Sequence, residues 1–160
     1  MFGSLKITDV YTATEILQDP EKDYRVVSIM SPNHAVRFPN IKEVLYLEFH
    51  DFTVEELQLN LVSSPVLATK EHCKQALDFL DKGGDALIHC AVGKRRSTAI
   101  ALGHLLKHFS VDKAVDMLFS IRSIAEPNTH ILQLVCEVLG KTEDEYLGIL
   151  STLVHRKLNR

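Results

Sequence analysis

The chain has 160 residues, of which 46% are hydrophobic and 24% charged, with seven Gly and five Pro. At this length such a composition sustains one sizeable core, and it excludes a disordered tail, a collagen-like rod and a low-complexity linker. Lys and Arg number 18 against 21 Asp and Glu, a formal net charge of −3. Bulk charge therefore draws the chain to neither nucleic acid nor membrane, and any anion it binds must meet a local basic site.

Three cysteines, Cys73, Cys90 and Cys136, are too few and too odd a number for a disulfide framework and suit a reducing compartment. The first residues alternate polar and apolar without the basic start and apolar run of a signal peptide, and no apolar stretch approaches the ~20 residues of a membrane span. Glycine stands third rather than second, against myristoylation, and Lys157-Leu158-Asn159-Arg160 is no prenylation box. The expectation is a single cytoplasmic domain over residues 1–160, with no internal repeat and no linker.

Leu5 to Val10 alternates and predicts a first strand. Thr12 or Thr14 is expected to cap a short helix that ends at Gln18, before Asp19-Pro20. Arg25 to Ile29 is short, β-branched and bounded by Ser31-Pro32-Asn33, which predicts a buried strand; Val44 to Leu47 predicts another. A polar loop, Glu48 to Thr53, and a short acidic segment, Val54 to Leu59, follow. Ser64-Pro65 reads as a helix start, with Leu67, Cys73, Ala76, Leu77 and Leu80 at helical spacing and Gly83-Gly84 as the stop. Ala86 to His89 predicts a strand, and Ser97 is expected to cap a helix through Phe109. Helices are also predicted over Val111 to Arg122, Thr129 to Leu139 and 142–158. The last is an additional C-terminal helix, expected to pack through a broad face of Tyr146, Leu147, Ile149, Leu150, Leu153 and Val154. Short buried strands alternating with helices predict an α/β fold, a mostly parallel central sheet of about four to five strands flanked by helices.

The residues that carry chemistry are His89-Cys90-Ala91-Val92-Gly93-Lys94-Arg95-Arg96-Ser97, placed between a strand and a helix. A loop entering a helix N-terminus turns backbone N–H groups inward, and the helix dipole adds positive potential. Gly93 permits the bend that a concave anion nest needs. Cys90 at the base of that nest is expected to ionise more readily than a free thiol. The guanidinium of Arg96 is a planar fork suited to two phosphate oxygens.

This pattern is similar to the Cys-x5-Arg signature of the protein tyrosine phosphatase superfamily, in its longer form His-Cys-x-x-Gly-x-x-Arg-Ser. It resembles most the small bacterial tyrosine phosphatases related to dual-specificity phosphatases, with Ser97-Thr98-Ala99 after the loop, Pro127-Asn128 opening a late helix, and Asp51 about forty residues upstream. The resemblance implies the cysteine phosphatase fold and a hydrolase acting on phosphomonoesters without metal or other cofactor. By it, Cys90 attacks phosphorus, the amides of residues 91–96 with Arg96 hold the oxygens, Ser97 helps the thiolate leave, and His89 supports the loop. Asp51 is the candidate general acid and then base, ahead of Glu48, Glu55 and Glu56. A protective disulfide between Cys73 and Cys90 is also within the family's habits, though Cys73 reads better as an apolar helix position and Cys136 as core.

Phosphorylated protein is the expected substrate, phosphotyrosine first, with phosphoserine and phosphothreonine admitted if a short chain leaves a shallow pocket. Lys94 stands where lipid phosphatases of the superfamily place a lysine, but Ala91 stands where they tend to have another. A phosphoinositide or other polyanionic ester is therefore the alternative substrate, against a reading in which Lys94 and Arg95 pair with nearby carboxylates. A phosphate-binding pseudophosphatase is the alternative without turnover; arsenate reductase and rhodanese-like chemistry fit the position of Cys90 or its motif less well. His104 and His108 stand four apart on a predicted helix, a metal-binding spacing, but the sequence supplies no third ligand nearby and they read as ordinary side chains.

Overall fold

Seven helices surround a four-stranded sheet in the computed structural model, which describes residues 2–59 and 63–160. The strands are β1 (Phe2–Thr8), β2 (Arg25–Met30), β3 (Val44–Glu48) and β4 (Gly84–His89), in the order β1-β4-β2-β3 and parallel throughout. The helices are α1 (Val10–Ile16), α2 (Val54–Leu57), α3 (Lys70–Leu80), α4 (Arg96–Leu106), α5 (Val111–Ile121), α6 (Thr129–Val138) and α7 (Glu143–Leu158). Parallel strands need long crossovers and cover on both faces, which the helices supply.

The period-two alternation of the central strands sorts their side chains between two faces. Val26 and Leu87 pack with Ala13 and Leu17 of α1 and with Phe38. Val27, Ile29, Ala86 and Ile88 face the larger layer, formed with α3, α4, α5 and α6. Every residue of α4 is buried, so this helix is the axis of the core. Its Gly103 allows close approach to α6: a Cβ there would lie 2.4 Å from Val135 Cγ1.

Local chemistry sets the boundaries, and several differ from expectation. Asp9, not Thr12 or Thr14, caps α1 through the Thr12 amide, because β1 ends at Thr8 and the chain turns at once. Ser64 does not start a helix. It holds a left-handed φ of 53°, and α3 begins five residues past Pro65, capped by Thr69 in a reciprocal box with His72. Ser97 lies inside the first turn of α4 rather than at its cap, and that helix stops at Leu106. Strand β4 starts two residues early, at Gly84, paired to Phe2. α7 follows its Thr142 cap and packs through Tyr146, Ile149 and Leu153, while Leu147 and Val154, placed on the packing face by the sequence pattern, are exposed. Its Arg156 bonds Asp116 at 2.7 Å and Asp112 at 2.9 Å of α5. None of the helices among the described residues is long and apolar enough to cross a membrane.

Gly103→Ala is expected to destabilise the fold by about 1–3 kcal/mol, since the added Cβ meets Val135, which is fully buried and, being β-branched, stiff at χ1. Urea unfolding monitored by circular dichroism measures it; an unchanged midpoint would mean that α4 and α6 are not packed this closely.

Candidate active site

Strand β4 ends at His89 and α4 begins at Arg96; the loop between them lies at the carboxyl ends of the parallel strands, where open α/β sheets bind ligands. Its carbonyls are all turned away from its centre. The Cys90 carbonyl meets His89 Nδ1 at 3.3 Å. Ala91 O accepts from the Val10 amide at 3.3 Å, Lys94 O from Glu126 N at 2.9 Å, and Arg95 O from Asn128 N at 3.0 Å. Arg122, at the end of α5, donates Nε to Gly93 O at 2.9 Å and NH2 to Val92 O at 3.0 Å. With carbonyls drawn outward, the amides face inward and form an anion nest. Gly93 is obligatory at φ 70°, where a Cβ would lie 2.5 Å from the Thr8 carbonyl.

Inside the loop, Cys90 Sγ accepts the Gly93 amide at 3.2 Å and lies 3.2 Å from Ser97 Oγ. The sulfur is thus held between a backbone donor and a hydroxyl. Cys73 and Cys136 have no such company: burial pushes their thiols up to about 12 and about 11, so both keep their protons. The Cys73 thiol is accordingly a core group and poorly disposed to exchange with Cys90. His89 is fully buried and its Nε2 is 2.7 Å from Ser28 Oγ of β2. Burial above all holds its imidazole below the ordinary range, and a neutral ring donating from Nδ1 and accepting at Nε2 satisfies both contacts.

Arg96 reaches back across the sheet. Its NH1 donates to Phe49 O at 2.9 Å and Ser31 Oγ at 3.1 Å, the residues just past β3 and β2. The side chain is buried and its Nε has no partner among the described residues. A guanidinium held by one edge, with a buried donor left over beside the amide nest, is arranged to receive an anion. The helix end makes the same point: α4 has no side-chain cap, whereas each of the other six helices has one.

The loop after β3 brings Asp51 to the rim. Asp51 Oδ1 accepts from Asn128 Nδ2 at 2.9 Å and lies 3.7 Å from Arg95 Nε. Asn128 is fully buried and works in four directions: it also reaches Phe52 O at 3.3 Å, caps α6 through Ile131 N, and donates its own amide to Arg95 O. Of the rival carboxylates, Glu48 and Glu55 are exposed, and Glu56 has one oxygen on the Thr53 amide and the other on Arg95 NH2 at 3.0 Å. Lys94 pairs with Glu126 at 3.2 Å. Both middle basic residues of the loop are thus engaged by carboxylates.

The structure therefore gathers Cys90, Ser97, His89, residues 91–96 and Asp51 into one place. Sequence reading missed Arg122, Ser28 and Ser31. Arg122 sits at the end of an amphipathic helix and looks like a solvated terminal cation; nothing local marks it. Asn128 carried a signal, since Pro-Asn opens α6, but its second job at Asp51 is visible only in three dimensions. The fold also brings Asp81 to His104 and His108, a third side chain the linear spacing did not offer.

No family model matches the chain. It is similar to dual specificity phosphatase 28 of human, 32% identical over 104 residues that cover 64% of this chain and 54% of the relative. The mouse protein of the same name is 31% identical over 104 residues, covering 64% and 58%. The chain thus spans about half the length of the curated relatives it matches. The crystal structure of human DUSP28 shares the fold at a TM-score of 0.57 with 22% identity, over 84% of this chain and 90% of that one. The likeness to that structure is one of fold, and the loop from Cys90 to Arg96 is its most distinctive local feature. The curated relatives that the chain resembles are named dual specificity phosphatases.

Removing the Arg122 guanidinium frees two loop carbonyls at once. Arg122→Met is expected to weaken vanadate binding by about tenfold or more, at roughly 1.5–3 kcal/mol per charge-assisted hydrogen bond offset by rearrangement. Calorimetric titration measures it; unchanged affinity would show that Val10, Glu126 and Asn128 hold the loop by themselves.

Proposed function

We propose that the chain is a cysteine-dependent phosphatase that hydrolyses phosphomonoesters on proteins through a cysteinyl-phosphate intermediate. The observation that supports this most is the loop itself: a thiol that accepts the Gly93 amide and lies against Ser97 Oγ, inside amides whose carbonyls are tied outward, at the start of α4, which has no side-chain cap. In this reading the loop amides and Arg96 bind the three peripheral oxygens of the phosphoryl group and stabilise the charge they carry in transfer. Cys90 Sγ attacks phosphorus as the ester oxygen departs, and Asp51 gives that oxygen its proton. Water then attacks the cysteinyl-phosphate with Asp51 as base, and Ser97 donates to the departing thiolate. His89 keeps the loop base in register with β2. The chemistry calls on no metal or cofactor, since amides and guanidinium supply the positive field.

The substrate reading is phosphotyrosine, with phosphoserine and phosphothreonine also accepted, as the names of the relatives suggest. The pairing of Lys94 with Glu126 and of Arg95 with Asp51 and Glu56 favours a single phosphate over a phosphoinositide, because neither cation is left over for additional phosphates. Three free cysteines favour a reducing, cytoplasmic setting.

Cys90→Ser should abolish turnover of p-nitrophenyl phosphate while retaining vanadate binding. Residual activity near wild type would refute the covalent step, and binding without turnover in the wild type would make the chain a pseudophosphatase. Asp51→Asn should lower kcat about 10²–10⁴-fold on a phosphothreonine peptide, whose alkoxide needs a proton. The loss should be smaller on p-nitrophenyl phosphate, whose phenolate leaves without a proton; equal losses on the two substrates would take Asp51 out of this role.

A further inference from the structure

The far end of α4 holds a second constellation, independent of the phosphatase reading. His104 lies in the last turn of α4, His108 follows one turn later, and Asp81 caps the C-terminus of α3. One ligand atom from each lies within 4.8 Å of the other two. The imidazole centroids are 5.0 Å apart, and the Phe2 ring stacks on His104 at 5.1 Å and meets His108 edge-on at 5.3 Å, so both rings have packing partners that limit their rotation. His104 is 6% exposed, and its Nδ1 is buried with no partner among the described residues. Native folds seldom leave such an atom unsatisfied.

We propose that Asp81, His104 and His108 form a zinc-binding site that ties the end of α3 to the end of α4. Two histidines one helical turn apart, joined by a carboxylate from a neighbouring element, are a nitrogen and oxygen donor set that zinc accepts, with water completing the tetrahedron. A helix C-terminus, where the dipole is negative, favours a cation. The resident competitor is Lys107, whose Nζ pairs with Asp81 Oδ2. An exposed ammonium pair of this kind is weak, and a divalent ion displaces it. The site is remote from Cys90, since the helical rise from Arg96 to His104 is about 12 Å. Its role is therefore structural.

The 160-residue chain, stripped with EDTA, is titrated with zinc chloride while its Tm is followed, in wild-type, Cys90→Ser, His108→Gln and Asp81→Asn forms. The last two positions are exposed, so those variants retain the fold. Zinc should raise Tm by about 5 °C at a hundredfold excess over Kd, equally in wild type and Cys90→Ser, and magnesium should not. His108→Gln and Asp81→Asn should each weaken zinc at least tenfold, and Lys107→Met should tighten it. Cobalt(II) added to Cys90→Ser should give the visible absorption of tetrahedral ligation, lost in His108→Gln. The proposal is overturned by no shift up to about 1 mM zinc, by a shift kept in His108→Gln and Asp81→Asn, or by a shift that vanishes in Cys90→Ser.

Discussion

Every carbonyl from Cys90 to Arg95 accepts a hydrogen bond from outside the loop, and much of the fold is arranged to supply those donors. The junction of β1 and α1 provides the Val10 amide. The end of α5 provides Arg122, and the approach to α6 provides the amides of Glu126 and Asn128. The inward face of the loop is then polar by default: a peptide unit whose oxygen is held outside must present its N–H to the inside. Such a nest is preorganised, so binding an anion requires little reorientation of dipoles, which is where electrostatic stabilisation gains most over water. Distant elements are thus coupled to the site through backbone oxygens rather than through side chains that touch a substrate.

The same economy explains the buried polar groups beneath it. His89, Ser28, Ser97 and Asn128 are buried deep in an apolar core, where an unpaired polar atom would be expensive. Each is satisfied by a partner that also fixes the site. His89 joins β4 to β2 while holding the Cys90 carbonyl, and Ser97 spends its hydroxyl on Sγ. Asn128 links the Asp51 loop, the cradle and the α6 cap in one side chain, so the carboxylate at the rim cannot drift independently of the loop below it. A side chain with so many duties tolerates little replacement, even by Asp, which lacks the amide donor that meets Asp51.

Much of this was legible from residue order. Cys90, Arg96 and Gly93 announce themselves because the chemistry of the nest dictates residue types at fixed spacing, and Val27-Ser28-Ile29 and Leu87-Ile88 read as buried strands because burial on both faces demands continuous apolar runs. Helix ends were less legible where two candidates competed. Thr12 and Thr14 looked like caps, yet Asp9 took the role because it alone follows the strand directly. Ser64-Pro65 had the right letters, but the Thr69 and His72 box, closer to the apolar periodicity, won. Arg122, Ser31 and Asp81 were illegible for a different reason: each acts on a partner tens of residues away, and the contact exists only once the sheet and α4 have assembled.

The net charge of −3 hid a run of three basic residues, and the fold treats them unequally. Lys94 is neutralised by Glu126, and Arg95 by Asp51 and Glu56. Arg96 alone is turned inward, supported by neutral acceptors only, Phe49 O and Ser31 Oγ, with a buried Nε to spare. Neutral acceptors satisfy a guanidinium's hydrogen bonds without cancelling its charge, so its field stays available to an incoming anion. Burying an unneutralised cation costs stability, and the uncapped end of α4 costs more. Both penalties fall at one end of α4, and one anion bound there relieves both. The free energy withheld from folding is thereby returned when an anion binds.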